Sequence, residues 1–216
     1  MHPDEIAAAL RRAVRERALP PGNALNQDEL AKQFGVSRIP IREALRTLVG
    51  EGLVIMKPGL GAVVTELRPD EVEELYGLRL QLEPPLSADI VDQVRRRDVE
   101  DLAALVHAMQ QAPEDDTEAW SAANYRFNRR LYELSDRRHA VRLVVQVLNL
   151  VEPYVRMNAH VLGRRPRIES ARQAMVAALR EHDAERLRRL IHDDIVAGRG
   201  ELVTGMAEHG GAFLVE

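Results

Sequence analysis

The sequence predicts a mainly α fold in two modules, a helix–turn–helix closed by a β-hairpin and then an all-α helical bundle. Three observations carry this. Apolar residues recur at helical spacing over most of the 216 residues. One stretch breaks that pattern, two short β runs around a Gly-rich turn at Leu53–Val64. Hydrophobic residues make up 45% and aromatics only 4%, enough for a core that must be aliphatic.

The elements follow in order. Ile6, Leu10, Ala13 and Val14 mark a first helix from Asp4 to about Arg17, stopped by Pro20-Pro21-Gly22. Asn26 is a suitable N-cap for a short helix to Phe34, with Glu29 three residues on, and Gly35 ends it. Ser37 is expected to cap the next helix, which runs to about Gly50 with Pro40 in its first turn. There Ile41, Ala44, Leu45 and Leu48 form a core face, while Arg38, Arg42 and Arg46, four apart, form a basic stripe on another. Leu53–Met56 and Ala62–Val64 flank the turn Lys57-Pro58-Gly59-Leu60-Gly61, a hairpin. From residue 69 six helices are expected, at about 69–93, 98–111, 117–134, 137–160, 167–182 and 184–207, with Pro84-Pro85 kinking the first. The domains expected are therefore 1–66, 67–207 and a loosely held tail at 208–216.

Composition narrows the function classes. With no cysteine, disulfide scaffolds, thiol nucleophiles and iron–sulfur sites are excluded. No apolar run approaches the roughly 20 residues of a membrane span, and the acidic start reads as no export signal, so a cytoplasmic protein with no membrane partner is expected. The net charge of −4 does not by itself suggest nucleic acid. It is uneven, however: residues 1–66 carry 9 basic and 8 acidic residues, and the remainder carries 21 and 26. No Ser/His/Asp order, phosphate loop or complete metal set appears, so no enzyme is expected.

An arginine stripe alone serves equally as a solvated, ion-paired face. The order helix, short helix, tight turn, helix, hairpin changes the balance, because it is that of a winged helix-turn-helix, whose third helix fits the major groove. The residues then carry a closer resemblance. Leu19, Pro21-Gly22, Leu25, Glu29-Leu30-Ala31, Gly35-Val36-Ser37-Arg38, Pro40, Arg42-Glu43-Ala44-Leu45, Glu51-Gly52-Leu53 and Gly61 resemble the DNA-binding domain of the GntR family of bacterial transcription factors. The match covers nearly all of residues 6–64. The resemblance implies that Ser37, Arg38 and Arg42 contact operator DNA, joined by Arg46 on the stripe, and that a wing around Gly59 and Gly61 enters the minor groove with Lys57 as its cation. Two positions depart from it: Leu60, often basic in the family, and Asp28, basic and phosphate-touching in some relatives.

The helical second module resembles the FCD class of GntR effector domains, with Arg79 and Glu83 matching its Arg-x-x-x-Glu signature. Six helices favour a VanR-like over a FadR-like form. The resemblance implies a dimer on a pseudo-palindromic double-stranded operator, most often a repressor, with a small-molecule effector in the bundle. Many FCD domains hold a divalent metal through Asp and His four apart on one helix and two further His. Here those positions read Asn124, Asn128 and Ser170, and only His192 remains, so no metal or other cofactor is expected. Asn124, Asn128, Ser170 and His192 are instead expected to form either a polar cage for an effector or a set of satisfied structural groups. Arg79 either holds an anionic effector or pairs with Glu83 four residues on.

Overall fold

The computed structural model describes residues 1–161 and 163–209. Residues 208–209 of the expected tail continue the last helix, and the rest of that tail lies outside the described residues. Contacts divide the chain after Arg68 into two compact units.

In the first unit, α1 (Pro3–Arg15) begins at His2, whose ring accepts from the Asp4 amide while Glu5 accepts from the His2 amide. It buries Ile6, Ala7, Leu10 and Val14. The helix ends before the expected prolines, with Arg17 in left-handed backbone at φ +59°. A two-residue strand, β1 (Ala24–Leu25), follows; periodicity cannot register so short a run. Then come α2 (Gln27–Phe34) and α3 (Arg38–Gly50). Asn26 caps α2 through the amides of Asp28 and Glu29. Gly35 ends it at φ +66°, where a Cβ would be strained. Ser37 occupies the N-cap position of α3 in extended backbone, but its hydroxyl makes no capping hydrogen bond, contrary to expectation. The strands β2 (Val54–Lys57) and β3 (Gly61–Val64) form the hairpin, and β1 adds to β3, giving the antiparallel order β1-β3-β2. Ile41, Ala44, Leu45 and Leu48 of α3 are buried, as their spacing predicts, and α3 packs on α1. Arg11 on α1 holds Glu51, just beyond α3, in a two-bond pair at 2.8 and 2.6 Å.

The second unit contains α4 (Pro69–Leu82), α5 (Ser87–Gln93), α6 (Arg96–Gln111), α7 (Thr117–Glu133), α8 (Arg138–Val161), α9 (Arg165–Arg180) and α10 (Ala184–His209). The expected kink at Pro84-Pro85 is a full break: a 3₁₀ turn at Pro84–Leu86 separates α4 from α5. Proline lacks the amide that would continue the α-helical ladder, and its ring crowds the preceding turn. Among the described residues seven α-helical segments result where six were expected, so helix number no longer favours a VanR-like form. The packed pairs α6–α7, α6–α9, α9–α10, α4–α10, α4–α8 and α7–α8 enclose a continuous interior. Trp120 is completely buried among Met109, Ala123, Ala159 and Ile168. Its indole N–H donates to Glu169 at 2.9 Å, and Arg165 lies 5.4 Å over its ring.

Candidate functional site

Two places concentrate exposed or buried polar chemistry, one in each unit. In the first, α3 presents Arg38, Arg42 and Arg46 on its exposed side, opposite its buried apolar face. Ser37 is exposed at the N-terminus of the same helix. Gly59 and Gly61 are exposed at the hairpin turn with φ of +79° and +78°, and Lys57 is half-buried. Leu60 stands at the wing tip, 64% exposed, so an apolar side chain occupies that position. Asp28, in the first turn of α2, forms an ion pair with Arg38. Ile39, beside Arg38 and 59% exposed, was passed over in the sequence because it falls outside both the core face and the basic stripe. At the start of a helix that enters a major groove, an exposed aliphatic side chain can meet a thymine methyl.

The second place is the interior of the bundle. Arg79 on α4 is 5% exposed and Glu83 is fully buried. The guanidinium donates to Glu83 at 2.6 and 3.2 Å and lies 4.8 Å from the Tyr76 ring centre. The Tyr132 hydroxyl donates to the same carboxylate. Burial would lower the Arg79 pKa, but the charge and hydrogen bond of Glu83 together with Tyr76 and Tyr132 more than offset it and hold it above its ordinary value. Burial pushes Tyr76 up to about 12 and raises Tyr132 as well. The ion pair, one of the two roles expected for Arg79, is formed in this structure.

A second network links α7, α9 and α10. Arg172 donates through Nε to Asn124 Oδ1 at 3.2 Å and through Nη1 to Asp194 Oδ2 at 2.7 Å. Arg167 donates to Asp194 at 2.9 Å and to Glu201 at 3.1 Å. Burial would raise the Asp194 carboxyl, yet Arg172 and Arg167 hold it below the usual carboxylate value. The amide nitrogen of Asn124 is buried without a hydrogen-bond partner among the described residues. Asn128 lines a small cavity with Tyr76, Arg79, Glu152, Arg172 and Asp194. The space open to water-sized spheres there is about 20 Å³, room for roughly one water.

Two expected members of this face lie elsewhere. Ser170 is exposed on α9, and His192 is exposed on α10 with its ring beside Asp193. Each sits two residues from a side chain that does face inward, Arg172 and Asp194. Two residues are about 200° around an α-helix, so such an offset exchanges the inner and outer faces. The inward pair was legible in another signal: Arg172 lies in the buried stripe of Ile168, Met175, Val176 and Leu179, and Asp194 in that of Leu187, Ile191 and Ile195.

These residues do not fit a divalent metal. No group of three or more His, Asp or Glu with metal-holding geometry occurs among the described residues. Asp194, the carboxylate bonded to Arg172 where α7, α9 and α10 meet, is already engaged by two guanidiniums, and the α7 positions offer neutral amides. Such a set lacks the three strong donors that zinc-like ions take.

Comparison with known proteins places these features. The chain matches the family "Bacterial regulatory proteins, gntR family" over residues 3–64 and the FCD domain over residues 74–197. It is 32% identical over 134 residues to an HTH-type transcriptional regulator from the TAR-I ttuE-ttuC' intergenic region of Agrobacterium vitis, covering 57% of this chain and 74% of that one. It is 38% identical over 78 residues to the gluconate operon transcriptional repressor of Bacillus licheniformis, 36% of this chain and 32% of that one. The solved structure of E. coli McbR/YncC shares the fold, with a TM-score of 0.81 at 24% identity, over 94% of this chain and 97% of that one. No helix among the described residues is long and apolar enough to cross a membrane. The FCD match alone spans more than half of the sequence, and the chain therefore belongs to the gntR family of bacterial regulatory proteins, as a DNA-binding transcriptional regulator and not an enzyme.

Proposed function

We propose that the protein is a cytoplasmic, homodimeric repressor that binds a pseudo-palindromic operator and whose affinity is set by a small molecule bound in its helical bundle. The observation that carries the DNA-reading part is the two-faced α3, buried through Ile41, Ala44, Leu45 and Leu48 and exposed through its arginines. Ser37, Arg38, Arg42 and Arg46 contact the major groove in this reading, and Lys57, Gly59 and Gly61 follow the minor groove. Arginine suits this place because its fork bonds guanine or phosphate with two donors. Repression is supported by similarity to a protein named as an operon repressor.

The effector part rests on the match to the FCD domain, and the small polar cavity must widen from its room for roughly one water to admit an effector. Asn128 and Arg79 are the expected contacts that line the cavity, and Asn124 reaches it through Arg172. An effector acts by binding one dimer geometry more tightly than the other, so that the spacing of the two α3 helices shifts between matching and mismatching the operator.

The test is selection of genomic DNA fragments by the purified protein, with Arg38→Ala/Arg42→Ala as control. The expected result is enrichment of one short inverted repeat, lost in the control. Each single substitution should weaken binding by about 1–3 kcal/mol if it removes one base contact. Wild-type affinity in both single variants would overturn the placement of α3 in the groove.

A further inference from the structure

The meeting point of α7, α9 and α10 is organised around one side chain. Arg172 reaches from α9 to Asn124 on α7 and to Asp194 on α10. The Phe127 ring, also on α7, stacks beneath it at 5.6 Å. The Arg172 side chain is 4% exposed, and that of Asp194 is 9% exposed. An ion held by one ligand from each of these helices would make the same connections. We propose that the Arg172 guanidinium is a tethered substitute for such an ion, so that the bundle closes around its own cation and takes no divalent metal here. This reading does not depend on the identity, or the existence, of an effector.

Charge and geometry support it together. Arg172 and Arg167 share Asp194, and Arg167 continues to Glu201, with an Nε–Oε1 separation of 2.8 Å. Within this network two guanidiniums and two carboxylates balance, and the further buried carboxylate beside it, Glu152, accepts from the Ser121 hydroxyl at 3.1 Å. An added divalent ion would face two fixed positive charges at contact range in a poorly screened interior, where like charges repel strongly. The amide of Asn124 is oriented by Arg172, so its oxygen is used and its Nδ2 donor is the free end, the wrong polarity for a metal. A guanidinium also differs from an ion in what it permits: it cannot be chelated or exchanged, and its donors are fixed in a plane.

The experiment uses the full chain. Wild type is incubated with excess Zn²⁺, Ni²⁺ or Mn²⁺ and desalted. Metal per chain is then measured, together with Tm with and without EDTA. The expected wild type carries no stoichiometric metal and has one Tm under both conditions. A metal that survives desalting at one per chain, and whose removal lowers Tm, overturns the proposal. The variant Asn124→Asp/Asn128→His/Arg172→His supplies three ligands beside Asp194 and removes the tethered cation. It is expected to retain one zinc per chain and to gain Tm with it. If it folds by far-UV circular dichroism and binds no zinc, Arg172 does not stand in an ion's place. Arg172→Met decides the same point with no new ligand: a lowered Tm that added zinc does not restore is expected, and an unchanged Tm refutes the cross-linking role.

Discussion

Replacing Glu83 by glutamine tests whether the buried Arg79–Glu83 pair holds the helical unit together. The substitution keeps the shape and one acceptor oxygen, and removes the charge. Arg79 is 5% exposed and Glu83 is fully buried, so the arginine left behind is a charge that water cannot reach. Two bonds to the guanidinium and one from Tyr132 converge on the carboxylate, and an amide can accept at only one oxygen. Breaking a buried pair from one side costs about 3–5 kcal/mol, and the retained acceptor favours the lower end. A domain has roughly 5–15 kcal/mol of stability, so this is a large fraction of it. For a unit of this size it corresponds to a fall in Tm of roughly 6–20 °C. The assay is thermal and urea unfolding of Glu83→Gln beside Arg79→Met/Glu83→Leu, which removes both charges and fills the same space. The double variant should lie much closer to wild type, because an apolar pair of similar volume replaces a buried ion pair at little cost. A loss below about 1 kcal/mol in the single variant, the value of an exposed pair, would refute the reasoning. So would a double variant as unstable as the single.

Two other outcomes are expected. Asp28→Asn frees Arg38 from its ion pair and removes an acid from the DNA-facing side, so affinity for a mixed-sequence duplex should rise and its salt dependence should steepen by about one in log–log slope; an unchanged slope, measured by fluorescence anisotropy across salt concentrations, counts against it. The Asp194 carboxyl titrates below its unfolded value, so its contribution is complete above about pH 4 and is lost as pH falls through the lower folded value. The stability gap between wild type and Asp194→Asn, measured by urea unfolding, should therefore be constant near neutrality and narrow as the pH falls below the ordinary carboxylate value of about 4.

The first unit was legible in detail because its signals are local. Asn26 bonds amides two and three residues away, Gly35 takes the left-handed conformation at the helix end, and α3 needs only its own 3.6-residue period to reveal its buried face. The second unit depends on which face of each helix turns inward, and there the family pattern misled. It pointed to Ser170 and His192, whereas Arg172 is the residue that meets Asn124, and Asp194 in turn meets Arg172. Following the buried aliphatic stripes of α9 and α10 would have corrected this, since a charged residue inside such a stripe needs a partner from a neighbouring helix. That partner comes from 22 positions away for Arg172 and Asp194, a separation no local periodicity encodes. The strand β1 escaped for a related reason, because two residues become a strand only through β3, almost 40 positions later.

The completely buried Trp120 is the sole tryptophan of the chain, and all four tyrosines, Tyr76, Tyr125, Tyr132 and Tyr154, belong to the same unit. The DNA-reading unit is therefore optically silent above about 280 nm, a wavelength range where only these rings and disulfides absorb appreciably. Emission at tryptophan wavelengths follows the helical unit alone, while the amide signal in the far ultraviolet sums both. Melting curves recorded by the two methods on one sample would thus separate the unfolding of each module without cutting the chain, and a single shared transition would mean that the two modules unfold as one.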